Sequence, residues 1–136
     1  MEKAFVTDTI QSICKDIGFP FITKVKTEKW KADVLVDCGP YKVAFKVCNL
    51  PRNVEEVYLA MRQERVCGCW MLMPSFRKLV LSKLPCFYIQ DIRGEISVLL
   101  HKIREEEDSL PIDDFIRSMI LGHIRYVETM KVKYVE

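Results

Sequence analysis

"KADVLVDCGPYKVAFKVC", residues 31–48, decides how the chain folds. It holds two short valine-rich runs separated by Cys-Gly-Pro-Tyr. Alternation at period two marks each run as a strand, and the Gly-Pro between them marks a reversal. The stretch therefore reads as an antiparallel hairpin. On its second strand Val43, Phe45 and Val47 share one face, and Ala44, Lys46 and Cys48 the other. A lysine in the middle of so apolar a strand needs a reason.

The flanks extend this reading. Upstream, "FPFITKVKT" (19–27) is a first strand ending near Lys26. Before it, residues 2–17 carry Val6, Ile10, Ile13, Cys14 and Ile17 at helical spacing, with Gly18 as a stop. Downstream, residues 49–53 form a Pro-containing loop. Asn53 is placed to cap a helix reaching about Arg65, with Glu55 and Glu56 in its first turn. "VCGCWMLM" (66–73) is apolar on both faces, which predicts a central strand. The helix before it is a crossover, so this strand should run parallel to 41–48, by a right-handed connection.

Beyond this core, "FYIQDIRGEISVLLH" (87–101) predicts a hairpin turning at Arg93-Gly94. "REEEDS" (104–109) reads as a solvated charge run. Ser109 and Pro111 open a last helix, 112–121, with Phe115, Ile116, Met119 and Ile120 as core and Gly122 as its stop. The tail "HIRYVETMKVKYVE" fits either a strand or a frayed helix. The expectation is one α/β domain over 1–136. It has a mixed sheet in the order α-β-β-β-α-β, plus a C-terminal hairpin and helix as an appendage.

Bulk composition narrows the function classes. The 136 residues are 49% hydrophobic and 29% charged, an ordinary globular balance. Lys and Arg number 21 against 19 Asp and Glu, a net charge of +2, so only a local patch can serve a polyanion. No apolar run approaches the ~18 residues of a membrane span, and the N-terminus does not read as a signal peptide. Six cysteines are scattered without a C-x-x-C, and the two histidines stand far from any cysteine pair. They read as reduced core thiols of a cytoplasmic protein rather than as a zinc site. No Gly-rich phosphate loop, H-E-x-x-H or Ser-His-Asp arrangement is present.

The order of "ADVLVD", "AFKV" and "GCW" over 31–70, with the acid-led helix between the last two, resembles the nuclease-like domain of CoiA-type competence proteins. These are members of the PD-(D/E)XK superfamily. "LPCFYIQ" (84–90) and "IDDFIRSMILGHIRY" (112–126) are also similar to C-terminal parts of that family. The resemblance implies a restriction-endonuclease-like core. It also implies a metal site with an aspartate at the start of the second strand, and an acid plus a lysine or glutamine two residues apart on the third. Asp33 matches the first metal-binding aspartate. Lys46 stands where the acid belongs, and Cys48 where its partner belongs. In an alternative frame Ala44 replaces the acid and Lys46 is the lysine; either frame lacks the acid. Where the family often carries a further acid on the first strand, this chain offers Lys24 or Lys26.

An ammonium in place of a carboxylate has no lone pair for Mg²⁺. It changes the local charge by about two units, each worth roughly 4 kcal/mol against a unit charge ~4 Å away at an effective dielectric near 20. The expected arrangement is Lys46 paired with Asp33 where a metal would otherwise sit, Asp33 being the one metal ligand left. The leading expectation is a nuclease-like protein that binds nucleic acid, DNA first, or a protein partner, with no cofactor and no membrane. Lys24, Lys26, Lys29, Lys31 and Lys42 would supply the phosphate contacts. One alternative is an active Mg²⁺-dependent nuclease whose second acid has migrated to Glu55, Glu56, Glu64 or Asp37. The other is a protein-interaction module with no nucleic-acid role.

Overall fold

The computed structural model describes residues 1–74, 84–103, 106–127 and 131–134. The chain opens with helix α1 (Lys3–Ile17) and strands β1 (Phe21–Lys26), β2 (Lys31–Asp37) and β3 (Lys42–Cys48). Helix α2 (Val54–Gln63) and strand β4 (Val66–Leu72) follow. Strands β5 (Cys86–Ile92), β6 (Glu95–Ile103) and β7 (Glu106–Pro111) lead to helix α3 (Ile112–Ile120). A short pair, β8 (Ile124–Val127) and β9 (Lys131–Tyr134), comes last.

β1 to β7 form one seven-stranded open sheet in sequence order, with β8 and β9 paired separately. β2 and β3 are antiparallel, Val36 opposite Val43, as their alternation predicts. β4 lies parallel to β3 and at the middle of the sheet, with Ala44 opposite Gly68 and Lys46 opposite Trp70. The C-terminal hairpin is not an appendage. β5 pairs in parallel with β4, and β6 and β7 continue the same sheet. The β5–β6 turn sits at Arg93-Gly94, whose φ angles of 53° and 85° are those of a type I′ hairpin.

Of the charge run 104–109, residues 106–109 lie in β7, and 104–105 fall outside the described residues. The tail residues that are described pair as strands, which excludes the frayed-helix alternative there. Asn53 occupies the N-cap position of α2 but in a left-handed conformation, φ 52°, and its side chain makes no capping bond. Gly18 closes α1 at φ 80°, its N–H and that of Phe19 both donating to the Cys14 carbonyl.

Two apolar layers sandwich the sheet. On one face α1 (Val6, Ile10, Ile13) and α3 (Phe115, Ile116, Ile120) cover Val34, Val36, Val43, Phe45, Val47, Met71, Phe87 and Ile89. Arg117 of α3 ties to Asp16 of α1 at 2.6 Å. On the other face α2 (Val54, Met61) covers Leu35, Ala44, Trp70 and Leu72. β4 is thus buried on both sides, Met71 toward α1 and α3 and Trp70 toward α2. Among the described residues no helix is long and apolar enough to cross a membrane.

The glycine in "GCW" has a steric reason. A Cβ on Gly68 would meet the Trp70 ring at 2.5 Å and the Met61 sulfur at 2.9 Å. Trp70 lies over the gap that Gly68 leaves. Gly68→Ala is expected to destabilise the fold by about 1–3 kcal/mol through overpacking. The urea midpoint, followed by tryptophan fluorescence, measures it.

Candidate functional site

The site begins with a fault in two strands. On β1, Phe21 packs toward α1 and α3, yet Val25, of the same parity, packs toward α2. On β2, Val34 and Val36 face α1 and α3, but so by alternation should Ala32, which packs toward α2 with Trp30. Regular strands do not change face in this way, because side chains alternate strictly. The slip falls at Lys24, whose φ of 51° is left-handed, and at Asp33. These two stand opposite each other between the pairs Thr23–Val34 and Val25–Ala32. The outer half of the β1–β2 hairpin is thereby rolled over the α2 face.

Asp33 holds this splice. The β2–β3 ladder ends at Val34–Phe45. One step on, the N–H of Val47 donates to Asp33 Oδ2 at 2.7 Å instead of to a β2 carbonyl. Asp33 Oδ1 lies 2.8 Å from the Lys3 ammonium at the start of α1. The carboxylate is 16% exposed and the lysine 51%. The expected Asp33–Lys46 ion pair is not formed. Continuing the register would set those two residues opposite each other. The slip instead gives Asp33 to Val47 and Lys3, while Lys46 keeps the alternation of Ala44 and Cys48 toward α2. Lys3 was not legible as a partner, because its contact with Asp33 is made only by tertiary packing.

Lys46 lines a groove of about 520 Å³. Its walls come from the hairpin tip 26–31 and the loop 50–53, and Trp70 and Val57 lie beneath. Five cations line it, Lys26, Lys29, Lys31, Lys46 and Arg52, against one acid, Glu28. The tip is fixed by Thr27, whose Oγ1 accepts the Trp30 N–H at 3.0 Å. It is also fixed by Trp30, whose indole N–H donates to Glu64 Oε2 at 2.7 Å. Three of the five sequence-selected lysines, 26, 29 and 31, meet here. Lys42 does not, since it sits at the opposite end of β3 across from Asp37. Lys24 is at the splice on the edge strand and does not line the groove. Arg52 was missed, although its place right after the third strand was readable in "NLPRN".

No protein-family model and no curated protein matches this chain.

The chemistry of the donors decides what the site can hold. A hard divalent cation needs oxygen ligands. Asp33 is surrounded by an ammonium, a main-chain N–H and the Cys48 side chain, near enough to interact electrostatically, and Cys48 in turn lies within electrostatic reach of Lys46. These residues do not fit Mg²⁺. Of the four acids considered as substitutes, Glu64 holds Trp30, and Asp37 accepts the Gly39 N–H at 2.9 Å. Glu55 and Glu56 line a separate hollow outside α2 with Leu59 and Leu84. Among the described residues no group of three or more His, Cys, Asp or Glu is placed to share a metal.

The Cys48 environment disfavours the thiolate. Burial pushes the thiol pKa above the ordinary value, and the nearby Lys46 charge offsets this only in part.

Proposed function

We propose that this chain is a nuclease-fold protein of the CoiA-like type that binds nucleic acid, DNA first, without cutting it. The single observation that carries the reading is the groove with five cations and one acid beside the Asp33 splice. Phosphate oxygens are the ligands such a surface attracts, and their recognition is largely independent of sequence. The element order α1-β1-β2-β3-α2-β4, with β3 and β4 parallel, supports the choice of family. So does the position of Asp33 at the head of β2, next to the end of β3. The family's acid position is filled by Lys46 and its neighbour by Cys48, which supports binding over hydrolysis. In-line hydrolysis of a phosphodiester requires a metal to make hydroxide and to offset charge on the phosphate. A lysine supplies only the second of these.

Binding should be weak and steeply salt-dependent. If all five cations meet phosphates, affinity should fall roughly a hundredfold or more between about 50 and 200 mM salt, at about 0.7–0.9 of a power per contact. Fluorescence anisotropy of a labelled oligonucleotide measures this. Binding that ignores salt, or no binding at low salt, sinks the electrostatic reading. A nicking assay with Mg²⁺ in the same buffers should give no cleavage. Cleavage abolished by Asp33→Ala would show that an acid from elsewhere completes a catalytic site.

A further inference from the structure

Lys46 differs from the other cations of the groove. It is half-buried on the floor, whereas Lys29, Lys31 and Arg52 are exposed on the rim. Trp70, its neighbour across the β3–β4 ladder, is 4% exposed. No carboxylate among the described residues lies within ion-pair distance of its ammonium. A charge partly withdrawn from water without a partner is costly, and an anion reaching the floor removes that cost.

The shape of the groove limits which anions reach it. Its volume, about 520 Å³, is that of a pocket for a nucleotide-sized unit rather than a double helix. A duplex is stiff, with a persistence length of about 150 base pairs, and its backbone lies across a rim instead of dipping between two walls. A single strand bends at each nucleotide. Leu50, 59% exposed, and Pro51 offer an apolar wall for sugar and base. Trp30 and Trp70 are too buried to stack on bases. We infer that the groove takes one strand of nucleic acid with a phosphate on Lys46, and so prefers single-stranded over duplex nucleic acid. This rests on the nucleic-acid reading above.

The test compares a labelled single-stranded oligonucleotide with its own duplex at low salt. It uses the wild-type chain, Lys46→Met, and Lys42→Met as the control at the far end of β3. The wild type should bind the single strand about tenfold more tightly, the scale of one charge-assisted contact. Lys46→Met should bring the single strand down to the duplex level, and Lys42→Met should leave the preference intact. Lys46→Gln, which keeps a polar head on the groove floor, carries the same reading should Lys46→Met fail to fold. Equal binding of the two forms, tighter duplex binding, or a preference that survives the Lys46 variants overturns the inference and leaves the nucleic-acid reading standing. Binding of neither form by the wild type overturns the nucleic-acid reading itself, and the inference with it.

Discussion

Phe115→Ala is expected to lower the stability of the entire chain by about 3–5 kcal/mol, as for other large aromatic truncations in a core. Phe115 is fully buried on α3, and its ring centroid lies 5.0 Å from that of Phe87 on β5, tilted by 56°. Such a tilted pair adds about 0.5–1.5 kcal/mol to the burial of its area. The location of the readout makes the variant informative. Both tryptophans, Trp30 and Trp70, lie within the first 70 residues on the α2 face, remote from Phe115 in sequence and across the sheet. If the seven strands unfold as one unit, urea titrations of Phe115→Ala followed by tryptophan fluorescence and by far-UV circular dichroism should shift together. A fluorescence midpoint that stays in place while the dichroism develops an earlier step would mean that the strands after β4 unfold separately.

The second large effect is expected at Asp33. Asp33→Ala removes the acceptor of the Val47 N–H and should cost about 1.5–3 kcal/mol, the range for a hydrogen bond to a charged group. Lys3→Met should cost less, about 1 kcal/mol at most, because that ammonium is half-exposed and screened. Asp33→Asn should fall between, since the amide oxygen still accepts the N–H but the charge facing Lys3 is gone. The order Ala, Asn, Lys3→Met separates a structural acceptor from a simple ion pair. Urea unfolding of the three variants measures it. A loss at Asp33→Ala within about 0.5 kcal/mol, the scatter of ordinary surface changes, would show that the splice holds without its carboxylate.

The hairpin 31–48, the crossover helix and the central β4 were all readable, because each rests on a local pattern: alternation, a Gly-Pro reversal, or a strand apolar on both faces. The glycine-bearing reversal at Arg93-Gly94 was readable for the same reason. The hairpin it closes was misplaced as an appendage because its link to the core is three non-local pairs between β4 and β5, which leave no local mark. The slip at Lys24 and Asp33 was invisible for a different reason. Lysine has no preference for left-handed backbone, so "KVK" reads as ordinary alternation. With the slip unseen, the two residues nearest a site, Asp33 and Lys46, were placed on each other, when the fold gives Asp33 to Val47 and Lys3 instead. The basic residues of the hairpin were readable as a group. Only the rolled tip distinguishes those that converge, Lys26, Lys29 and Lys31, from Lys42, which does not.

Lys24 has a consequence outside the groove. β1 is one of the two edge strands of the sheet, with Ile22 59% exposed on it. An open, flat, apolar border invites a strand of another molecule to zip onto it, the first step toward aggregates. The left-handed turn of the main chain at Lys24 breaks the regular row of donors and acceptors that such zipping needs, and the ammonium groups of Lys24 and Lys26 repel a second copy of the same border. The bend that shapes the hairpin thus also disfavours continuation of the sheet past β1.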